Sequence, residues 1–496
     1  MSRVTSKVVS AVAVIVLVVV AGASYFEFYY TPASPCASVV PGTISRTTVS
    51  GATFGGVTEY RLPSQDRWPS AVTTAPDGSV WFAEEEIPGV AHFFPGNGTL
   101  VEYAWPGYAT PKPPDCIPGA TTSGIALWQG RVWAADEYNN AILGVSPTDG
   151  STVRINTTSG AQYPYWLAVG PDGDLWFTSE NTPATLGRIA PDLTLSIIQL
   201  RGLGNDQPIQ LTFVNSSYAL LDTIDQAENT TTKGCVCSGH IYSFDPSNVT
   251  TSVTPAVVGG NYALTLPTMV AFSDGRIWVA QHLPSNVLSY DFATGEWTSY
   301  PTSTVPWSTT LPLEILANGS RIWFNEHYAN KIAFIESGNR TLTEISESNP
   351  PAVSAAGIQN DESIALGSGG VWFTSLSGNY LGFISADYTP AFQVAAEGNG
   401  TLSMSRGQNT TLRFRVTGTW SSALEVNMSD TESYTSVPKL VQLVPSVSAV
   451  PPGGTPYVLT VELTLAQTIK AGSYVVAVTL TEGGVQQSAY VFLQVS

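Results

Sequence analysis

The chain has 496 residues, of which 43% are hydrophobic and only 12% are charged. This length allows two or three domains, and so apolar a composition excludes a disordered protein. The formal net charge of −18 excludes nucleic acid as a partner, because no cluster of lysine and arginine is present to neutralise phosphates.

The N-terminal residues 1–26 predict export from the cytosol. Arg3 and Lys7 precede an uncharged stretch, residues 8–26, that is just long enough to span a bilayer. Two interpretations stay open. The small residues at 21–23 are typical of a signal-peptide cleavage site, whereas the aromatic residues within 25–30 favour a retained transmembrane helix. Both predict an extracellular chain, anchored at the cell surface, or secreted if the helix is cleaved.

Residues 27–50 are polar and contain Pro and Thr, so we interpret them as a stalk. A repeat begins at residue 51, and its cleanest copy lies at 163–189. There a short apolar run leads to the turn Pro171-Asp172-Gly173, a second apolar strand follows at 175–178, and a third lies at 186–189. A single hairpin of this kind cannot bury its own apolar face, which predicts that the copies pack side by side.

The copies are marked by a tryptophan in the second strand. It occurs at Trp81, Trp133, Trp176, Trp278, Trp323 and Trp372, and a weakened copy at 215–220 fills the widest gap. Seven units of roughly 42 to 60 residues, each with about four short strands, are typical of propeller blades. We therefore predict a seven-bladed β-propeller over residues 51–390.

The two ends of this repeat complement each other. The seventh unit lacks a fourth strand after Ile384, whereas an unaccompanied strand at 57–62 precedes the first unit. We expect this strand to pair with the last unit and close the ring, because closure removes an exposed sheet edge.

The repeat ends near residue 390, and residues 391–496 alternate between apolar and polar positions instead. About 100 residues with about seven short strands predict an immunoglobulin-like β-sandwich, on the pattern of the strands alone. The predicted fold class is thus all-β: an N-terminal transmembrane helix, a stalk, a seven-bladed propeller and an immunoglobulin-like domain.

The repeat resembles that of the streptogramin (virginiamycin B) lyase-like propellers. The residues that carry the resemblance are Pro164, 170–177 and 186–189, together with 330–332 and 380–384. The resemblance covers about 340 residues, and it implies a seven-bladed ring. It also implies an enzyme that opens a cyclic depsipeptide by elimination with a divalent metal, usually magnesium.

The resemblance further implies catalytic histidines at the second position of Pro-x-(Gly/Ala)-Ile in two neighbouring blades, with a glutamate nearby. Counting back from each tryptophan gives the corresponding positions in this chain. They are Ser70, Ser123, Tyr165, about Ile209, Thr268, Leu313 and Glu362. None is histidine, so a proton-abstracting base is missing where the family keeps it.

Strand geometry predicts that the residues three and four positions after each tryptophan share a face with these positions. They are Glu84, Glu85, Asp136, Glu137, Ser179, Glu180, Gln281, His282, Glu326, His327, Ser375 and Leu376. One interpretation is a carboxylate and imidazole rim that binds Mg²⁺ or Ca²⁺, or Zn²⁺ through His282, Glu326 and His327. The other is an ordinary solvated loop rim, and we interpret His92 and His240, outside the repeat, as ordinary histidines.

Extracellular location favours disulfides among the four cysteines, Cys36, Cys116, Cys235 and Cys237. The last two are too close to pair comfortably with each other, but the connectivity stays open, and a zinc site is the alternative. Ten Asn-x-Ser/Thr sequons are candidate glycosylation sites. They are Asn97, Asn156, Asn215, Asn229, Asn248, Asn318, Asn339, Asn399, Asn409 and Asn427.

These features give two functional hypotheses. The first is a membrane-anchored, non-enzymatic protein for recognition, adhesion or envelope structure, whose propeller binds a glycan, a peptide or a surface protein. The second is an extracellular metal-dependent lyase or hydrolase of the streptogramin lyase-like type, with His282, Glu326 and His327 as catalytic candidates.

Overall fold

The computed structural model describes most of the chain from residue 42 onward. The described ranges are 42–63, 67–85, 88–108, 122–158, 160–225, 228–229, 234–235, 238–249, 253–256, 264–283, 285–303, 310–347, 361–376, 378–398, 400–430, 441–454 and 456–496. The predicted anchor at 8–26 lies outside them. Within them, no helix has the length and apolarity that crossing a bilayer requires.

Three strands precede the repeat: β1 (Ile44–Thr48), β2 (Gly51–Phe54) and β3 (Val57–Arg61). β1 pairs antiparallel with β7, defined below, and β2 pairs with β3. The segment interpreted as a stalk therefore ends earlier than residue 50, because 44–48 already belong to a sheet.

The repeat forms seven antiparallel meanders, which we number 1 to 7. Meanders 1 to 3 consist of β4 (Pro69–Thr74), β5 (Val80–Glu84), β6 (Gly89–Phe94) and β7 (Thr99–Ala104); β8 (Ile125–Trp128), β9 (Arg131–Asp136), β10 (Ala141–Val145) and β11 (Thr152–Asn156); and β12 (Pro164–Val169), β13 (Leu175–Ser179), β14 (Thr185–Ile189) and β15 (Leu195–Gln199). Meander 4 consists of β16 (Gln207–Asn215), β17 (Tyr218–Asp225), β20 (Ser238–Phe244) and β21 (Thr254–Pro255), and the small hairpin of β18 (Glu228–Asn229) and β19 (Gly234–Cys235) lies between β17 and β20 in the chain. Meanders 5 to 7 consist of β22 (Pro267–Ser273), β23 (Arg276–Gln281), β24 (Asn286–Asp291) and β25 (Glu296–Pro301); β26 (Pro312–Asn318), β27 (Arg321–Glu326), β28 (Lys331–Glu336) and β29 (Thr341–Ser346); and β30 (Asp361–Gly367), β31 (Gly370–Ser375) and β32 (Tyr380–Ser385).

The first strands of the meanders contact one another in a closed order, β4, β8, β12, β16, β22, β26, β30 and back to β4. They therefore line the centre of a ring. The predicted closure is present: β3 pairs with β32 along its whole length, from Val57 opposite Ile384 to Arg61 opposite Tyr380. The last sheet of the ring thus takes its fourth strand from the start of the repeat, and β2 lies outside that strand.

Between neighbouring meanders the core is aromatic, because the repeated tryptophan lies on the buried second strand. Trp133, Trp176 and Trp323 are fully buried. The third strand accommodates a ring in the same layer: a Cβ atom on Gly187 would lie 1.9 Å from the Phe177 ring. Glycine at this point lets the aromatic side chain of β13 lie flat against the backbone of β14.

The C-terminal residues form two further sheets from β33 (Phe392–Ala396), β34 (Thr401–Met404), β35 (Asn409–Gly418), β36 (Leu424–Asp430), β37 (Val441–Pro445), β38 (Ala449–Val450), β39 (Tyr457–Leu465), β40 (Gly472–Glu482) and β41 (Val485–Val495). One sheet has the order β33-β35-β39-β37, and the other contains β41-β40-β36-β38 with β34 beside β41. Phe414, Val461 and Leu480 lie in the core between them.

The second of these sheets continues meander 6. The first half of β41 pairs with β29, from Val485 opposite Ile345 to Ala489 opposite Thr341. The second half pairs with β34, from Phe492 to Val495. One strand therefore belongs to both parts of the molecule, and hydrogen bonds of a continuous sheet fix the C-terminal part to the ring.

A polar cluster lies where these parts meet. Lys331 Nζ is 2.6 Å from Ser303 Oγ, 2.5 Å from Gln486 Oε1 and 3.4 Å from Glu344 Oε1. Lys331 and Glu344 are both buried. We call Ser303, Lys331, Glu344 and Gln486 the junction.

Candidate functional site

A β-bulge shapes the inner end of most first strands. In meander 3, Pro164 lies opposite Ser179 and Leu167 lies opposite Phe177. Two residues of the first strand, Tyr165 and Trp166, therefore lie opposite the single residue Thr178 of the second strand. Comparable register shifts occur in meanders 1, 4, 5, 6 and 7. The bulge turns the residue after the proline position away from the ladder, which places it at the centre of the ring.

The bulge also frees backbone groups that neighbouring meanders satisfy. Gln210 accepts a hydrogen bond from the Val270 backbone N–H at 2.6 Å. Glu314 accepts one from Ile364 N–H at 2.7 Å, and Ser363 accepts one from Val72 N–H at 3.1 Å. Side chains of one meander thus hold the first strand of the next, which fixes the inner ring on which the site is built.

The second strands end at the same level as the bulges, as the strand pattern predicted. We call this level the rim end of the ring, and the level of the hairpin turns at 76–78 and 171–173 the turn end. Seven side chains approach one another at the rim end, and we call them the central rim: Glu85, Glu137, Tyr165, Glu180, His282, His327 and Glu362.

The histidine side of the central rim comes from meanders 5, 6 and 7. The His282 and His327 rings stack with centroids 5.7 Å apart. His327 Nδ1 lies 3.8 Å from Glu362 Oε2. Burial, with a smaller contribution from the neighbouring His327, lowers the pKa of His282 to about 3. At neutral pH His282 therefore contributes a neutral imidazole and no positive charge.

The acidic side comes from meanders 1, 2 and 3. Burial raises the pKa of Glu85 to about 8, and the charge of Glu362 adds to the effect, while the Thr122 N–H that Glu85 accepts at 3.3 Å opposes it. Burial raises the pKa of Glu180 to about 7. The pKa of Glu137 is raised by burial and then by the charges of Glu180 and Glu85. No lysine or arginine of the described residues contributes to these pKa values.

Tyrosines surround the acidic side. Burial raises the pKa of Tyr165, with further increases from Glu180, Glu137 and Glu362. Tyr138 and Tyr163 are exposed at 46% and 40%, and burial together with the charges of Glu137, Glu180 and Glu85 raises the pKa of Tyr138. The hydroxyls of Tyr165 and Tyr138 therefore stay protonated at neutral pH, close to the carboxyl groups.

The other predicted rim residues point elsewhere. Asp136 accepts a hydrogen bond from Tyr108, Gln281 donates to Asn286 Oδ1 at 2.9 Å, and the Glu84 carboxyl lies beside Glu102. Glu326 approaches Glu344 and Lys331, next to the junction. Successive side chains of a strand point to opposite sides, so the third and fourth residues after each tryptophan cannot both face the ring centre. Only the fourth one does.

The central rim also contains two residues that sequence reasoning did not single out as site residues. Tyr165 and Glu362 occupy the positions at which the resemblance implied histidine, and they were noted there only because histidine was absent. The sequence feature that could have identified them is the position itself, because a residue that replaces the expected histidine still lies at the centre of the ring.

The predicted divalent metal does not fit the residues present. Within the described ranges, no group of three or more His, Cys, Asp and Glu side chains has an arrangement that could hold a metal ion. His282, Glu326 and His327 do not converge, because Glu326 points toward the junction. Cys36, Cys116 and Cys237 lie outside the described residues, and only the backbone of Cys235 is described.

The two histidines outside the repeat have protein partners. His92 Nε2 lies 2.7 Å from Ser79 Oγ, and its ring stacks on Trp81 at 3.8 Å. His240 Nδ1 lies 2.9 Å from Asp206 Oδ2. Both agree with their interpretation as ordinary hydrogen-bonded histidines.

The chain is similar to solved propeller structures. Streptogramin B lyase matches with a TM-score of 0.51 and 21% identity, over 66% of this chain and 97% of the lyase chain. A chain of the nidogen/laminin complex matches with a TM-score of 0.38 and 13% identity, over 52% and 89%. PQQ-bound aldose sugar dehydrogenase from Streptomyces coelicolor matches with a TM-score of 0.31 and 14% identity, over 71% and 99%.

No family model and no curated protein matches the chain. At 21% identity the likeness to streptogramin B lyase concerns the fold alone. On that fold, the chain is a β-propeller protein.

Proposed function

We propose that the chain is a non-enzymatic recognition protein of the cell surface, built as a seven-bladed propeller followed by an immunoglobulin-like sandwich. The closed order of the seven first strands supports the blade count. The sheet orders β33-β35-β39-β37 and β41-β40-β36 support the immunoglobulin-like assignment, since they correspond to strands ABED and GFC of that fold.

The observation that carries the proposal is the uncompensated acidic side of the central rim. Glu85, Glu137 and Glu180 come from three different blades, and each is close enough to another carboxyl group to raise a pKa. Carboxyl groups removed from water are normally paired with a basic residue, yet no described basic residue pairs with these, and their pKa values are raised instead. A ligand that brings its own positive charge satisfies the site.

The ligand group that fits is an ammonium or guanidinium group presented by a peptide or a neighbouring surface protein. Carboxylates bind such groups through charge-assisted hydrogen bonds. The exposed rings of Tyr138 and Tyr163 add cation–π attraction at the same place. Attachment to the membrane through residues 8–26 places this site on an extracellular surface, in keeping with the predicted export.

Calorimetric titration of the full chain with a lysine-rich peptide, and separately with a neutral oligosaccharide, tests the proposal. We expect the peptide to bind with release of protons, because a bound cation lowers the pKa of the rim carboxyl groups. The variant Glu137→Gln/Glu180→Gln should bind at least about tenfold more weakly, or about 1.4 kcal/mol. Glu296→Gln, an exposed carboxyl at the turn end, is the matched control.

Two results would refute this assignment. One is equal affinity of the double variant and the wild type for the peptide. The other is binding of the neutral oligosaccharide alone, which would make the rim a glycan site with neutral carboxyl groups as hydrogen-bond donors.

The second candidate function is acid–base catalysis of the lyase or hydrolase type, and the pairing of His327 with Glu362 favours it. An imidazole beside a carboxylate is a suitable general base. Because the described residues offer no metal site, this candidate rests on the protein groups themselves. Incubation with a cyclic depsipeptide, followed by mass spectrometry of the linear product, tests it. Turnover that His327→Ala abolishes while the fold persists would replace the recognition proposal.

A further inference from the structure

The sequons are distributed unequally between the two ends of the ring. Five lie at the turn end, at hairpin turns or directly after a third strand: Asn97, Asn215, Asn248, Asn318 and Asn339. All five are exposed. Of the ring sequons whose side chains are described, Asn156 lies at the rim end, where it pairs with Ala141, and Ala141 pairs with Asp136.

Three of the turn-end sequons share one local geometry. Asn97 Oδ1 accepts the Thr99 N–H at 2.9 Å, Asn215 Oδ1 accepts the Ser217 N–H at 2.9 Å, and Asn339 Oδ1 accepts the Thr341 N–H at 3.1 Å. In each Asx turn the carbonyl oxygen is engaged by the backbone, so the amide nitrogen, which is the atom that carries an N-linked glycan, is left facing away from the turn.

The fold does not need asparagine at these turns. Aspartate builds the same turn at equivalent positions: Asp149 accepts the Ser151 N–H at 3.0 Å in meander 2, and Asp192 accepts the Thr194 N–H at 2.9 Å in meander 3. Asp77 does so with the Ser79 N–H at 2.9 Å in meander 1. Turn formation therefore explains a side-chain carbonyl or carboxylate here, but it does not explain the amide.

Asn156 is also exposed, but its side chain has a different partner: its Oδ1 accepts a hydrogen bond from Arg154 Nε at 3.0 Å instead of the backbone N–H two residues further on. The middle residue of its sequon, Thr157, is fully buried and donates its backbone N–H to Asn140 O at 2.8 Å. The backbone directly after Asn156 is therefore held in the fold by Thr157, which is the reason to expect lower occupancy there than at the three Asx turns.

We propose that N-linked oligosaccharides on Asn97, Asn215 and Asn339 cover the turn end of the ring and leave the rim end free for contact with other macromolecules. The proposal requires export and is independent of what the central rim binds. Glycans at these positions are accommodated without loss of packing, because all three asparagine side chains are exposed. The ring then has one shielded end and one contact end.

Site-by-site glycopeptide mass spectrometry of the full chain, produced in a secretory host that performs N-glycosylation, tests this. We expect Asn97, Asn215 and Asn339 to be occupied and Asn156 to have a lower occupancy. The triple variant Asn97→Asp/Asn215→Asp/Asn339→Asp should lose these glycans with an unchanged Tm, because aspartate preserves each Asx turn. Empty turn-end sites, or Asn156 occupied as fully as they are, would overturn the proposal.

The chain offers a gain-of-site control. Asp149→Asn changes Asp149-Gly150-Ser151 into a sequon at a turn equivalent to that of Asn97. Occupancy at position 149 should rise from zero to the level measured at Asn97. If position 149 stays empty while the protein is folded and secreted, exposure at the turn end does not determine glycosylation, and the assignment of a shielded end fails.

Discussion

The central rim and the junction are two buried polar clusters within the same ring, and they are built in opposite ways. The junction places one cation, Lys331, among acceptors from both parts of the molecule. The central rim places several carboxyl groups together, and no described lysine or arginine lowers their pKa values. A buried charge with its partner fixes a structure, whereas a group of carboxyl groups with raised pKa values and no basic partner is typical of a site that a ligand completes.

The comparison of the junction with the central rim predicts that, of the substitutions considered below, Lys331→Met lowers the free energy of unfolding most. The substitution leaves Glu344, which is 0% exposed, without its cation, and breaking a buried pair in this way costs about 3–5 kcal/mol of the free energy of unfolding. Denaturant unfolding measures the loss. The double variant Lys331→Met/Glu344→Gln removes both charges and should recover most of it. Equal loss in the single and double variants would mean that packing, not charge pairing, holds the junction.

The pH dependence of stability should come from the central rim. The pKa values of Glu85 and Glu180, about 8 and about 7, both lie above the ordinary value of 4.5. The folded chain therefore keeps protons that the unfolded chain releases above about pH 4.5. These two groups therefore lower the stability as the pH rises from about 4.5 to about 8, whereas His282, whose pKa is lowered to about 3, opposes them up to about pH 6.5, so the decline should be steepest between about pH 6.5 and 8. Tm measured across this range should decline.

The variant Glu85→Gln isolates this contribution. It removes one group that titrates between the unfolded and folded pKa values, so its Tm should decline less than that of the wild type toward pH 8. Glu296→Gln, at the turn end, should follow the wild-type profile. A wild-type Tm that rises with pH over this interval would show that the rim carboxyl groups ionise normally in the folded chain.

A smaller effect is expected at the apolar edge of the contact between the ring and the C-terminal sheets. The Tyr490 hydroxyl donates a hydrogen bond to Pro301 O at 2.7 Å, and the Tyr490 ring meets Tyr300 with centroids 5.7 Å apart. Tyr490→Phe keeps the ring and removes the hydrogen bond, which should cost about 1 kcal/mol. Thermal unfolding measures this, and a loss as large as that of Lys331→Met would contradict the leading role assigned to the charged pair.

The sequence predicted the features that repeat. The tryptophan spacing and the unaccompanied strand at 57–62 were enough to predict the ring and its closure by β3 and β32, because each blade carries its own copy of the evidence. The pairing of β41 with β29 could not be predicted, since it joins distant strands once and leaves no period in the sequence. Nothing in the sequence around Lys331 or Gln486 indicates that the two residues meet.

The sequence predicted where the central rim lies better than it predicted which residues form it. Counting from the tryptophans identified Glu85, Glu137, Glu180, His282 and His327. The same counting added Glu84, Asp136, Gln281 and Glu326, which the alternation of side chains along a strand directs away from the ring centre. The sequence showed which residues stand where histidine was expected. It did not show that Glu362 lies beside His327, because this depends on the strand register of two neighbouring blades.

The smallest effect on stability is expected for Glu180→Gln, and this makes it the sharpest test of the comparison. Glutamine keeps the shape and hydrogen-bonding capacity of a protonated glutamate and removes a carboxyl group whose charge raises the pKa of Glu137. The free energy of unfolding at neutral pH should stay within about 0.5 kcal/mol of the wild type, or increase. If Glu180→Gln instead destabilises the chain as much as Lys331→Met does, the rim carboxyl groups hold the blades together, and the distinction between a structural junction and a ligand-binding rim is wrong.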